Sequence, residues 1–331
     1  MGDVSTIAFS DEEMAQALKR ILFPENPDEP VLTNFAVLDG AVIPELFNHL
    51  YGDDPPEFFC LYSGDLEPDM AEVAPYLVEL REGAPFTDWV LQNMFGVHWG
   101  IILRSPVEMA VLRKHLRTLL MVRDPYGRSL YFRYYDPRVL RSFVGIAEQE
   151  KISRIIGPAV LVVMEKEDKH GVTLLIRKED GGFSVSNYKW TELPGSLHLA
   201  VPPLAEYGGR PDMLISSEEM DCFDDIAARD FRKRARSHFT ETFPDDERVA
   251  KAEVLGEFIE KEIQAAAGKG MELEQDVIRY LQLSFQLGTD FPTRFPWAVT
   301  VLEESTLDPS EKMDRLWEHA TEEFAADAAN P

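Results

Sequence analysis

The sequence predicts a mixed α/β N-terminal domain followed by an all-α C-terminal domain. Two observations carry this expectation. Up to about residue 205, short apolar runs rich in Val, Ile, Leu, Phe and Tyr alternate with helical patterns and turn signals; beyond it the pattern is helical almost to the end. Between the two halves, VPPLAEYGGRPDM (201–213) concentrates proline and glycine and reads as a linker. The expected division is a domain over 1–200, a linker over 201–213 and a helical domain over 214–331. A chain of 331 residues with 45% hydrophobic composition is long enough for two such domains with ordinary cores.

The elements follow in order. Ser10 and Glu13 form a capping box, and Phe9 with Met14 is spaced as a hydrophobic staple, so a helix opens there. Pro24 and Pro27 stop it. IPELFNHLY suggests a short helix. FFCLYSG and PYLVEL read as strands separated by the acidic loop DLEPDMAE. PFTDWVLQNMF reads as a helix and WGIILRS as a buried strand. Ser105, Pro106 and Glu108 then look like an N-cap, a first helical proline and a capping-box acid. The helix they would open carries Leu112, Leu116, Leu119 and Leu120 on one stripe. Asp124, Pro125 and Gly127 fit positions i, i+1 and i+3 of a type I turn. GPAVLVVMEK, VTLLIRK and FSVSNYKW, the last preceded by Gly181-Gly182, read as three strands.

In the second half, Ser216 and Glu219 repeat the capping box, with Ile215 and Met220 as its staple. EVLGEFIEKEIQAA, EQDVIRYLQLSFQL with Gly288 as C-cap, and a segment from Asp308-Pro309-Ser310-Glu311 read as further helices. The tail EEFAADAANP is expected to fray.

Charge and cysteine content bound the function. A net charge of -26 repels phosphate backbones and anionic lipid, which argues against nucleic acid as a partner. The N-terminus has no basic segment followed by an apolar one, and no apolar run approaches the ~20 residues of a membrane span. Membrane insertion is not expected. The two cysteines, Cys60 and Cys222, sit among apolar neighbours and are expected to be buried free thiols, which fits a reducing cytoplasm.

The densest polar stretch is LYFRYYDPRVL, residues 130–140. As a strand it would point Tyr131, Arg133 and Tyr135 one way and Leu130, Phe132 and Tyr134 the other. Asp136 before Pro137 has the form of an N-cap and first helical residue, opening the helix RVLRSFVGI. Arg133 lies within reach of Asp136 or of the helix end. The cluster is thus accounted for by structure, with no nucleophile or metal set nearby. Ser105 with His115 lacks a G-x-S-x-G context. H-E-x-x-H, C-x-x-C, the P-loop and G-x-G-x-x-G are all absent, and no histidine pair has metal-ligand spacing. His98 reads as packed or exposed, and DLEPDMAE and EEMDCFDD as solvated acidic faces without EF-hand spacing. No metal, cofactor or catalytic set is expected. One basic stripe stands out: Arg229, Arg232, Lys233 and Arg236 share a helical face and are a candidate patch for docking an acidic partner. Asp225–Arg229 and Asp230–Arg234 have the favourable i,i+4 order.

The order VLDGA (37–41), APYLVEL (74–80), HWGIILRS (98–105), LRKHLRTLL (112–120) and FRYYDPRVL (132–140) resembles the adaptor, or effector-chaperone, family of bacterial type VI secretion systems, once catalogued only as a domain of unknown function. The resemblance covers residues 34–145. It implies a non-enzymatic protein that binds a cognate toxic effector and helps load it onto the VgrG spike with its PAAR tip. It implies a cytoplasmic chain, expected to be a monomer within a hetero-complex. The recurring residues map onto Asp39, Gly40, Pro75, Tyr76, Trp99, Gly100, His115, Arg117, Arg133, Asp136, Pro137 and Arg138. Their residue types suit scaffold roles. The effector is expected to be chosen by less patterned surfaces, in the helical half or the groove between domains. Two other readings remain: an α/β enzyme with an anion pocket around Arg133 and Asp136, and an immunity protein that neutralises a toxin.

Overall fold

The computed structural model describes residues 10–25, 30–166, 170–201 and 213–328. Contacts divide the chain into two units, Met1–Asp224 and Asp225–Pro331.

The first unit is built on a seven-stranded sheet. In chain order its elements are α1 (Asp11–Leu22), β1 (Thr33–Asp39), α2 (Leu46–Leu50), β2 (Phe58–Cys60), α3 (Pro68–Glu72), β3 (Pro75–Leu80), α4 (Pro85–Asn93), β4 (Gly100–Ser105) and α5 (Met109–Thr118). A hairpin, β5 (Met121–Arg123) and β6 (Ser129–Tyr131), precedes α6 (Pro137–Ile146), α7 (Gln149–Ile156), β7 (Leu161–Glu165), β8 (Gly171–Arg177) and β9 (Phe183–Lys189). The sheet order is β2-β3-β1-β4-β7-β8-β9, and β5–β6 stands apart. Every paired strand is antiparallel. The region is mixed α/β, as expected, although helices interleaved with strands would equally suit parallel crossovers.

The sheet is buried on both faces, which explains its near-continuous apolar strands. Successive side chains point to opposite faces. Phe35, Val37, Leu77, Ile101, Leu103 and Val162 therefore join α5, α6 and α7 in one core. Ala36, Leu38, Tyr76, Val78, Ile102 and Leu161 join α1, α2 and α4 in the other. The capping box of Ser10 and Glu13 opens α1. Its last carbonyls are met from the sheet: Asn34 Nδ2 donates to Leu22 at 2.8 Å and Arg104 Nη1 to Ile21 at 2.7 Å. A buried cation at a helix C-terminus complements the helix dipole.

Several boundaries differ from the sequence expectation. Ser105 is the last residue of β4 rather than an N-cap, and α5 begins four residues later, after Glu108. The Ser105 hydroxyl is drawn into the core, where it donates to Pro158 O at 3.3 Å. Strand β6 ends at Tyr131, and residues 134–135 turn, so both Tyr134 and Tyr135 are buried instead of alternating. Cys60 and Cys222 are half-buried free thiols. The linker expected over 201–213 falls almost wholly, at 202–212, outside the described residues, as do Phe9 of the staple and Pro27.

Residues 213–224 belong to the first unit. Met213 and Ile215 are core residues there, with Met220 and Phe223 packed against them. The capping box of Ser216 and Glu219 forms, with Ser216 N donating to Glu219 at 2.7 Å. Lys151 of α7 clamps the same Glu219 carboxylate at 2.8 Å. The unit boundary therefore falls inside α8 (Ser217–Thr242) rather than at 214.

The second unit is all-helical. After α8 come α9 (Glu247–Ala250), α10 (Ala252–Ala267), α11 (Glu274–Leu287), α12 (Phe291–Arg294), α13 (Pro296–Glu303) and α14 (Pro309–Ala328). Phe239, Leu255, Ile259, Tyr280, Leu281, Phe285, Met313 and Leu316 form its core. Phe239, Phe243, Phe258 and Phe285 meet ring to ring with centroids 4.9–5.9 Å apart. The two buried rings among them, Phe239 and Phe285, contribute about 1.5–3 kcal/mol each by burial. Gly288 ends α11 at φ 96°, a left-handed value suited to glycine. Asp308 and Glu311 make a reciprocal cap at 2.9 Å on each side. The tail expected to fray is helical through Ala328.

Candidate functional site

Several of the residues that carry the family resemblance, Gly40, Pro75, Gly100 and Arg133 among them, meet around Asp39 at the end of β1. Asp39 is buried there, 1% exposed. Its Oδ1 accepts from Ala41 N at 3.1 Å, closing the turn after the strand, and its Oδ2 is held by the Arg133 guanidinium. Burial pushes the Asp39 carboxyl up from its usual range, and Arg133 partly offsets this. Burial acts against the charged Arg133 as well, but Asp39 beside it holds the guanidinium above its ordinary value. The charged pair is the state the geometry fits. Arg133 thus reaches back across the chain to Asp39 and not, as the sequence suggested, to Asp136.

Asp136 has its own work. Its Oδ1 accepts from Arg138 N at 2.9 Å as the N-cap of α6, with Pro137 at the first helical position. Arg138 returns to grip the same carboxylate, Nη2 to Oδ2 at 2.6 Å. Asp136 N in turn donates to Arg133 O at 2.9 Å. The tyrosines finish the bracket. Tyr131 OH lies 3.0 Å from both Tyr62 OH and Tyr135 OH. Burial first, then neighbouring hydroxyls, push Tyr131 well above the usual phenol range, and burial does the same to Tyr135, so both stay neutral.

The other motif residues are placed by close packing. A Cβ on Gly40 would collide with the Glu72 carbonyl, and one on Gly100 with the Val37 carbonyl. Pro75 pairs with Asp39 at the start of β3, and Tyr76 OH donates to Ala71 O at 2.8 Å. Trp99 lies 4.9 Å from Trp89, ring to ring. His115 is buried with Nε2 3.0 Å from Ile155 O, under Gly157, whose φ of 59° and contact with the imidazole leave no room for a side chain. Burial holds His115 below its usual range, so it is neutral at pH 7. Arg117 donates to the Ser63 hydroxyl. Gly40, Pro75 and Gly100 thus let strand ends pack closely, and His115 ties α5 to the end of α7. Among the described residues no group of three or more His, Cys, Asp or Glu is arranged to hold a metal.

Two arginines of the basic stripe on α8 pack against α10 of the same unit. Arg232 pairs with Glu260 of α10, and the Arg236 guanidinium lies where a Cβ on Gly256 would be. Arg229 Nε donates to Asp225 O at 3.4 Å, so the helix's own carbonyl takes it. Arg234 pairs with Glu274 at 2.6 Å. Lys233 is exposed. A shallow groove beside Arg236 is lined by Glu253, Glu257, Glu260 and Lys261, so both signs of charge meet there.

Two features were not legible beforehand. His98, at a left-handed φ of 61°, pairs through Nδ1 with the buried Glu165, whose other oxygen accepts from Gly96 N at 2.7 Å. Glu165 reads in sequence only as the end of an apolar strand, 67 residues away. The second is an exposed apolar face on the β5–β6 hairpin, which short strands of mixed composition do not announce.

Residues 34–154 match the model of a family described as Domain of unknown function (DUF4123). The match runs from β1 to α7 and contains the whole Asp39–Arg133 bracket. No curated protein and no solved structure matches the chain.

Proposed function

We propose that the chain is a non-enzymatic adaptor that binds one cognate effector in the bacterial cytoplasm and promotes its loading onto the VgrG/PAAR spike of a type VI secretion system. The observation that supports this reading is the use made of the matched region. Across 34–154 four of the patterned charged residues are spent on each other, Asp39 with Arg133 and Asp136 with Arg138, and Arg117 donates to the Ser63 hydroxyl. A domain whose recurring polar residues are internal ties leaves its function to its surface, as a binding protein does. An enzyme with a pocket at Arg133 and Asp136 has less support, because both groups already have partners that neutralise them.

The test is a tagged chain at its native locus, recovered from cells with an assembled secretion system. The reading expects a spike protein or a single large toxin in near-stoichiometric amount, together with loss of that toxin's export when the gene is deleted. Recovery of the chain alone, from cells that demonstrably make spike and toxins, overturns it. Protection against the toxin with unchanged export would instead mark an immunity protein.

A further inference from the structure

The β5–β6 hairpin carries a surface that the fold does not use. The chain at 213–215 extends it, since Arg123 N donates to Met213 O at 2.8 Å and Ile215 N to Arg123 O at 2.8 Å. All three segments alternate. Val122, Met213 and Ile215 face the core, while Met121, Arg123, Ser129, Tyr131 and Leu214 face out. Met121 lies directly opposite Tyr131. Met121 and Leu214 are each 53% exposed, Tyr131 38%, and Tyr126 at the turn 84%. Large apolar side chains gathered on one exposed face mark interaction surfaces.

Among the described residues no strand pairs with the other edge of the hairpin. Phe132 N donates to Leu120 O and Asp124 N to Arg128 O, at 2.9 Å each, so 120/132 and 124/128 are the hydrogen-bonded pairs. Antiparallel pairs alternate, so the backbone groups of residues 121, 123, 129 and 131 point away from the hairpin. Arg123 spends its outward groups on 213–215. Those of Ser129 and Tyr131 border an edge that no described strand occupies. The charge here is also reversed. Residues 109–141 hold eight Lys/Arg against two Asp, in a chain of net charge -26, with Arg133 among the eight taken up by Asp39 of β1. Both aspartates are bound by arginines, Asp124 by Arg128 at 2.6 Å and Asp136 by Arg138. Arg123 stands on the face, Arg128 lies over the Tyr126 ring, and Arg117 reaches Ser63 next to Tyr62, which touches Tyr131.

We infer that this face and edge dock an extended, acidic and apolar segment of a partner protein, added as a strand along Ser129–Tyr131. Main-chain bonds would supply affinity, the apolar side chains register, and the guanidinium groups the preference for acid. The inference goes beyond the adaptor reading and does not need it, because the probe is a peptide.

The experiment titrates the full chain into fluorescein-labelled decapeptides of alternating Val-Glu and of alternating Val-Lys, read by anisotropy. The Val-Glu peptide is expected to saturate at least tenfold more tightly than Val-Lys, and to weaken with added salt. Ser129→Pro removes one outward N–H, and Met121→Glu with Leu214→Glu puts acid on the face; each is expected to weaken binding tenfold or more. Leu214→Glu alone, at an exposed position, keeps the test available if the others do not fold. Absence of saturable Val-Glu binding, equal binding of Val-Lys, or binding indifferent to folded variants overturns the proposal. So does a concentration-dependent dimer abolished by the same variants, which would make a second copy the occupant.

Discussion

The Asp39–Arg133 bracket and the β5–β6 face adjoin one another and answer opposite demands. The bracket collects charge in the interior, and its ionised groups have partners. The hairpin face collects Met121, Tyr131 and Leu214 at the surface, beside an edge that no described strand pairs. A polar cluster in a sequence draws the eye as a site, yet burial makes a polar group costly unless it is paired, so such clusters are as often joinery. Met121 and Leu214, left in water beside backbone that no described strand pairs, are the features without a folding purpose.

The sharpest way to break this contrast is to cut one side of the bracket. Arg133→Met leaves Asp39 buried without its cation and is expected to cost about 3–5 kcal/mol in urea unfolding. A cost below about 1 kcal/mol would show that the pair does not hold the fold. Gly157→Ala adds a left-handed strain and a collision with His115, together about 2–3 kcal/mol, read as a lowered melting temperature. Asp136→Ala removes the N-cap of α6 and is expected to cost about 1 kcal/mol.

His115 adds a pH signature. It is neutral in the fold, whereas the unfolded chain takes up a proton near its ordinary value of 6.5. The unfolded state then binds more protons, so stability falls as pH drops from about 6.5 toward the lower folded value. His115→Gln is expected to flatten that part of the stability profile, and an unchanged profile would contradict a buried neutral ring. The smallest effect belongs to the α8 stripe. Arg232 and Glu260 are both substantially exposed, and Arg232→Ala is expected to change stability by less than about 1 kcal/mol.

The fold class was legible because both halves obey local rules. Alternation with buried runs gave strands, and capping boxes at Ser10 and Ser216, with the Asp308-Pro309 start, gave helix starts. Asp136-Pro137 was legible for the same reason: a cap and its helix are neighbours in sequence. What could not be read was long-range. Arg133 and Asp39 are 94 residues apart, and nothing local distinguishes Asp39 from Asp136 as the partner. Ser105 looked like a cap because its sequence context fits one; the strand it ends prevailed through pairing with β1. The hairpin face was hidden because three-residue strands carry too short a period, and its third segment comes from residues 213–215.

Asp39, Arg133, Asp136 and Arg138 tie the domain together through one another. A double-mutant cycle of Asp39→Asn and Arg133→Met, read by urea unfolding, tests it most directly. The double variant is expected to lose less stability than the two single losses added, by more than about 1 kcal/mol, because Arg133→Met alone orphans the buried Asp39 and Asp39→Asn alone leaves the half-buried Arg133 without its anion. Additivity to within about 0.3 kcal/mol would contradict it, and would return Arg133 to the list of groups free to act on a ligand.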